Sequence, residues 1–242
     1  MLPTLLFLVS CKKKDNGLRY ELNLNNTYTA ILDSNATVKK VSVPNKHDGK
    51  KVTELSGFRN NAYIEEVTFT KNITRIEDGS FMFCEHLKKI SVSDSDYFAS
   101  FNGSLYQGNN LLIYASGRSD DVVEISKNIK SKAFTIAPNI KEISINSKEV
   151  EENAIYFLEN LTLIYLGENV ETLSNNFQLG NTKLERLIIN NTKITENLDF
   201  DNVKKVYVLE NATLSDAFLE NYEYKNNDYY KNISYKVYEV KK

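Results

Sequence analysis

The chain contains 242 residues, and its 30 Lys and Arg residues nearly balance its 32 Asp and Glu residues, for a formal net charge of −2. This balance argues against a nucleic-acid-binding protein, which would carry a strongly basic face. The only cysteines are Cys11 and Cys84, so disulfide bonds are not expected to hold the fold together.

The chain begins with a short apolar segment, Leu2–Val9, which is followed by Ser10, Cys11 and three lysines. A membrane span needs roughly 20 apolar residues, so this segment is too short to be one. It has the length of the apolar part of a secretory signal. Later stretches of the sequence are also too short and too polar to span a membrane.

The four residues Leu8–Cys11 resemble a bacterial lipobox, in which the cysteine receives a lipid after the preceding peptide is cleaved. The resemblance implies a signal peptide at 1–10, lipidation of Cys11, a tether at 11–17, and an extracytoplasmic location at the cell membrane or cell surface. No Lys or Arg precedes the apolar segment, so a start upstream of Met1 stays open. An apolar N-terminus with a chance cysteine is the alternative interpretation.

A six-residue pattern then recurs along the chain: an apolar residue, two others, an apolar residue, one other, and a final apolar residue. Successive copies are separated by 26, 23, 33, 20, 21, 23 and 19 residues. Repeats of this length are typical of solenoids, and the alternation within each copy predicts a strand whose fourth and sixth residues face the core. The copies, including a weaker one at Asp120, start at Val38, Ile64, Leu87, Asp120, Ile140, Leu161, Leu184 and Val203.

Aromatic residues and charges follow the same repeat. A phenylalanine stands 14 to 20 residues after the start of six copies, which predicts a buried ring on the far side of one continuous core. Lysine pairs at 39–40 and 88–89 flank the glutamate pair at 65–66, which predicts ion pairs between stacked strands. The phenylalanines are Phe58, Phe81, Phe134, Phe177, Phe200 and Phe218.

The segment Asn72–Val92 resembles one repeat of the BspA-type leucine-rich repeat family of bacterial cell-surface proteins. The residues that carry this resemblance are Ile73, Ile76, Phe81, Cys84 and Leu87. It implies a fold of α/β-type or mainly β solenoid class: a leucine-rich repeat stack of about eight coils with a parallel sheet on one face. The segment Tyr97–Gly117 resembles the hairpin insert of the long coils in this family.

The ends of the chain alternate apolar and polar residues, which predicts hairpin-like caps on the open ends of the stack. The expected organisation is an N-terminal cap at 18–37, a solenoid at 38–221 with a long coil at about 93–119, and a C-terminal cap at 222–242.

The sequence gives little support for catalysis. The two histidines, His47 and His86, stand 39 residues apart in different coils, and no Cys or His cluster suits a metal. The repeat position of Cys84 predicts a buried, inert thiol. No catalytic residues, no metal and no cofactor are therefore expected, and the chain is not expected to be an enzyme.

The family resemblance implies a surface-anchored adhesin or a module that binds a protein or another ligand. The alternative is a structural or assembly protein that binds another component of the cell envelope. In either case the expected partner is an extracellular or envelope protein or glycan, the membrane is reached through a lipid anchor, and nucleic acid is not a partner.

The fifth residue of each copy points to the outer face of the predicted sheet. It is small or polar in the first five copies and large and apolar or aromatic in the last three, at Tyr165, Ile188 and Tyr207. Exposed tyrosines near an arginine are typical of interface hot spots, so this apolar patch is the candidate ligand-binding or subunit-binding surface. High strand propensity and coverage by the C-terminal cap are the alternative explanations. The flanking residues of the patch are Leu163, Arg186 and Leu209.

Overall fold

A computed structural model describes residues 16–174, 176–192 and 203–241. All eight copies of the six-residue pattern form strands, which we call the first ladder, and the strands pair in parallel within the first three copies and within the last five. The predicted solenoid is confirmed. These strands are β3 (Lys40–Ser42), β6 (Glu66–Thr70), β8 (Lys89–Ser93), β12 (Val122–Ile125), β15 (Glu142–Ile145), β18 (Leu163–Leu166), β21 (Arg186–Ile189) and β22 (Lys205–Leu209).

The return path of each coil adds shorter parallel strands. The second ladder contains β5 (Lys50–Ser56), β7 (Arg75–Ile76), β11 (Asn110–Ile113), β13 (Asn128–Ile129), β16 (Glu149–Val150) and β19 (Thr172–Leu173). The third ladder contains β14 (Phe134–Thr135), β17 (Ile155–Tyr156) and β20 (Gln178–Leu179).

Antiparallel hairpins stand at both ends of the stack, as predicted. At the N-terminal end β1 (Leu18–Leu22) pairs with β2 (Tyr28–Leu32), which lies parallel to β5, and the short β4 (Lys46–His47) pairs with β5 on its other side. At the C-terminal end a one-turn helix α1 (Asp216–Asn221) leads into β23 (Tyr222–Tyr230) and β24 (Ile233–Val240). β24 then pairs antiparallel with β22, so the hairpin extends the first ladder. No helix in the described part of the chain is long and apolar enough to cross a bilayer.

The long coil divides the stack. Its strands β9 (Ala99–Phe101) and β10 (Ser104–Gln107) form a three-stranded antiparallel unit with β11. At this coil β8 and β12 do not pair, and neither do β7 and β11. The break corresponds to the long interval in the repeat, where the inserted residues displace the return path of the coil.

The core is divided in the same place, so the prediction of one continuous core is wrong. One cluster of buried side chains extends from Ala30 to Leu105, and a second extends from Leu111 to Tyr238. The prediction of buried phenylalanines is confirmed at Phe58, Phe81, Phe134, Phe177 and Phe218. Phe200 lies outside the described residues.

The predicted ion pairs between the first strands are confirmed. The Glu65 carboxylate accepts from Lys39 Nζ at 2.7 Å and from Lys88 Nζ at 2.9 Å, and Lys40 pairs with Glu66 at 2.7 Å. Both lysines donate to the Glu65 carboxylate, and this lowers its pKa to about 2. The pairs link three stacked strands in register.

In three coils a polar side chain links the coil to the one before it. It stands three residues before the start of the six-residue pattern and donates a hydrogen bond to a carbonyl oxygen of the preceding coil. Such internal bonds satisfy backbone groups that burial would otherwise leave without partners. The bonds are Asn61 Nδ2 to Ala36 O at 2.9 Å, Cys84 Sγ to Phe58 O at 3.0 Å and Asn181 Nδ2 to Ile155 O at 3.1 Å.

In five coils the residue before this position has a positive φ. Asn60 at +61° and Gly180 at +73° suit this conformation. Phe83 at +60°, Ile136 at +43° and Phe157 at +54° do not, since bulky and β-branched residues are strained there. The turn is therefore imposed by stacking rather than chosen by local preference.

Candidate functional site

The structure covers most of the predicted apolar patch with the C-terminal hairpin. Ile188 is 0% exposed, and Leu163 and Tyr207 are also buried, in a cluster with Tyr235 and Val237 of β24. The expectation that the patch is exposed is wrong, because β24 pairs with β22 and places its own apolar side chains on the same face. Substitution of Ile188 or Tyr207 is therefore expected to lower the stability of the fold, because both side chains belong to a buried cluster and not to an exposed surface.

Part of the patch stays accessible at its border. Tyr165, Arg186 and Leu209 are half-buried. The hairpin turn reaches back to Tyr165, whose ring lies 5.7 Å from the Tyr230 ring and 4.8 Å from Lys231 Nζ. Burial raises the pKa of the Tyr165 hydroxyl above its ordinary value. The Tyr235 hydroxyl lies 3.1 Å from Asn190 Oδ1, which further fixes the hairpin on the sheet.

A polar groove of about 480 Å³ lies on the sheet face beside the hairpin. We call it the sheet groove. Ser144 and Asn146 form its floor, with Tyr165 towards the hairpin and the exposed carboxylates of Glu124 and Glu168 along its sides. Within the described residues, neither carboxylate takes part in an ion pair. The groove combines one aromatic ring with hydroxyl, amide and carboxylate groups on a rigid strand ladder, which suits recognition of polar ligands.

A second concavity lies on the other side of the molecule, where the long coil interrupts the second ladder. This junction cleft has a volume of about 410 Å³. One wall comes from the segment 74–82 and the other from β10, β11 and the segment 130–135. Sequence reasoning missed this cleft, although the interval of 33 residues marks the coil that forms it.

The cysteine and the two histidines of the described residues have surroundings that indicate structural roles and not catalytic ones. Cys84 is buried, and desolvation raises the pKa of its thiol to about 12, so the reactive thiolate is suppressed. The His47 ring stacks on Tyr20 at 3.8 Å, and His86 lies exposed beside Glu85. In the described part of the chain, no group of three or more His, Cys, Asp or Glu residues is placed to hold a metal ion.

The predicted lipidation site, Cys11, lies outside the described residues, as do the proposed signal peptide at 1–10 and most of the tether at 11–17. These assignments remain predictions from the sequence.

Comparison with solved structures shows bacterial leucine-rich repeat proteins as neighbours. The pneumococcal vaccine antigen PcpA has a TM-score of 0.50 and 18% identity, over 65% of this chain and 52% of that chain, so this chain spans about half of PcpA. A leucine-rich cell surface protein from Faecalibacterium prausnitzii has a TM-score of 0.41 and 12% identity, over 76% and 89% of the two chains. The T. pallidum leucine-rich repeat protein TpLRR has a TM-score of 0.33 and 14% identity, over 73% and 70%.

No curated protein matches this chain in sequence. The family model described as "BspA type Leucine rich repeat region" matches it in six copies, over residues 20–114 and 121–235. The matched residues make up most of the sequence and include the observed strands of the first ladder. The protein therefore belongs to the BspA-type leucine-rich repeat family.

Proposed function

We propose that this protein is a surface-displayed, non-catalytic binding module, anchored by a lipid on Cys11, which recognises an extracellular protein or glycan. The family supports a binding role, because its repeats serve as scaffolds for interaction. The lipobox-like residues before Cys11 and the lysines after it support the anchor.

The observation that carries the proposal is the sheet groove. Its carboxylates are those of Glu124 on β12 and Glu168 in the turn after β18, with β15 between the two strands, and neither has an ion-pair partner among the described residues. Tyr165 offers an aromatic surface next to them. Aromatic rings beside directional polar groups are a common composition of ligand sites, and sites on regular elements are well preorganised.

The binding proposal is tested with the soluble chain from Lys12 onward on arrays of extracellular matrix proteins and glycans. Ser144→Arg places a long side chain across the groove floor and should weaken binding at least about tenfold. Thr68→Arg is the matched control, because Thr68 is the equivalent exposed position in an earlier coil. Equal binding by wild type and Ser144→Arg would reject the groove as the site.

The identity of the partner is tested in cells. Crosslinking that traps one dominant envelope protein, together with no binding on the arrays, would favour the assembly role over adhesion. The anchor is tested separately by mass spectrometry of the native protein, which should show a chain that starts at Cys11 and carries acyl mass. A native chain that retains Met1 would reject the anchor.

A further inference from the structure

The junction cleft lies where a strand is missing from the second ladder. β7 pairs with β5, and among the described strands it has no partner on its other side. β11 is paired on both sides, by β10 and β13. The short strand β7 thus ends one part of the ladder at the cleft, and the edge of a strand presents backbone N–H and C=O groups without strand partners.

The cleft has apolar walls. Ile76 lies on the β7 side, and Leu112 and Ile113 lie on the β11 side, all half-buried. Phe98 is buried beside them. A cleft of about 410 Å³ has the size of ordinary ligand sites and admits one or two apolar side chains.

Most charges of the cleft are already matched, and the exposed Glu77 is the exception among the described lining residues. Lys132 Nζ lies 3.0 Å from Asp78 Oδ2 and joins the two walls at the mouth, and Lys130 pairs with Glu151. The site therefore favours an uncharged occupant over a strongly charged one. The Ser80 hydroxyl lines the cleft and is the one buried side-chain polar atom in the described residues without a hydrogen-bond partner. Buried polar groups normally have hydrogen-bond partners, so the Ser80 hydroxyl is available to bond to a molecule in the cleft.

We propose that the junction cleft binds an extended peptide segment of a partner protein, which pairs with β7 and places an apolar side chain between Ile76 and Ile113. Strand addition supplies backbone hydrogen bonds, and a pocket for alternate side chains supplies specificity. A compact apolar molecule fills the volume but leaves the β7 edge unpaired. The site is separate from the sheet groove, and the proposal is independent of any ligand bound there.

The test uses short capped peptides in which Val, Leu, Ile or Phe alternates with Thr, added to the soluble chain from Lys12 onward. At least one should bind saturably, and backbone N-methylation of the same peptide should weaken binding at least about tenfold, since it removes strand pairing. Hydrogen exchange should slow at the Ile76 amide, since Glu77 N already donates to Leu55 O of β5, and should stay unchanged along β15. Absence of binding across the panel, or equal binding of the N-methylated peptide, overturns the proposal.

Variants separate the cleft from other surfaces. Ile113→Glu should weaken binding at least about tenfold, because a carboxylate enters an apolar wall. Val122→Glu, which alters an exposed residue on β12, is the control for an added charge and should bind as wild type does. If Ile113→Glu fails to fold, Gln107→Arg adds bulk at a more polar position of the same lining and should also weaken binding. Wild-type binding by a folded cleft variant, or saturable binding of the apolar dye anilinonaphthalene sulfonate with none of the peptides, overturns the proposal.

Discussion

The stacked phenylalanines are expected to carry a large share of the stability of the fold, and Phe177 is the most direct test. Its side chain is 0% exposed within the C-terminal core cluster, and its backbone oxygen accepts from Ile155 N at 2.9 Å in the neighbouring coil. Phe177→Ala removes the ring and leaves a cavity between coils, which costs about 3–5 kcal/mol. The free energy of unfolding of a domain is only about 5–15 kcal/mol in total, so this loss is a large fraction of the stability.

The measurement is urea unfolding followed by circular dichroism, with thermal unfolding as a second reading. A loss of about 3–5 kcal/mol corresponds to a fall in the midpoint temperature of about 6–20 °C for a chain of this size. Phe157→Ala is the matched control, because Phe157 lies in the preceding coil and is 44% exposed. It should cost about 1 kcal/mol or less. Similar losses for the two variants would refute the assignment of Phe177 to the core.

Three further predictions test single side chains. The Glu65 pKa is lowered from 4.5 to about 2 by its two lysine partners, so its stabilising effect is present above pH 4.5 and is lost as pH falls to about 2. Glu65→Gln should therefore unfold more easily than wild type at pH 7 and approach it as pH falls through about 2, and a difference that does not vary with pH contradicts this. In a Cys11→Ser background, Cys84 should react with a thiol reagent at pH 8 only after unfolding, because burial raises its pKa to about 12, and rapid labelling of the native protein contradicts this. Ile136→Asn should raise stability by up to about 1 kcal/mol, because it relieves a β-branched residue at φ +43°, and a net loss in urea unfolding contradicts this.

The repeat could be predicted because its signals are local. Each copy alternates apolar and polar residues, and the return paths of six copies contribute a phenylalanine at a similar distance. Both signals depend on which way side chains point in a strand, and this follows from backbone geometry alone. The ion pairs among the lysines at 39–40, the glutamates at 65–66 and the lysines at 88–89 could be predicted for the same reason, since stacking places these residues next to one another.

The position of the C-terminal hairpin could not be predicted in the same way. The alternation in β23 and β24 indicates two strands, but their placement over Ile188 depends on the pairing of β24 with β22 and on sheet twist. One signal was present in the sequence. The last three copies have consecutive apolar residues, such as Ile188 and Ile189, and strands buried on both faces read as continuous apolar runs. That pattern favours coverage of the patch over exposure.

The junction cleft lies between the two groups of coils, where the ladders are interrupted. The first ladder continues at every other junction of the described coils, but at this one neither β8 nor β7 finds a partner in the next coil. Individual contacts replace the ladders there, including a hydrogen bond of 3.2 Å from Phe83 N to Thr135 Oγ1. In a solenoid, each coil is stabilised by its interfaces with the neighbouring coils, so a weaker interface couples the coils on its two sides less strongly. A peptide strand paired with β7 would add strand-pairing bonds where the ladders are interrupted. Binding at the cleft is therefore expected to raise the resistance of the N-terminal coils to urea together with that of the C-terminal coils, whereas a ligand in the sheet groove contacts the C-terminal coils alone.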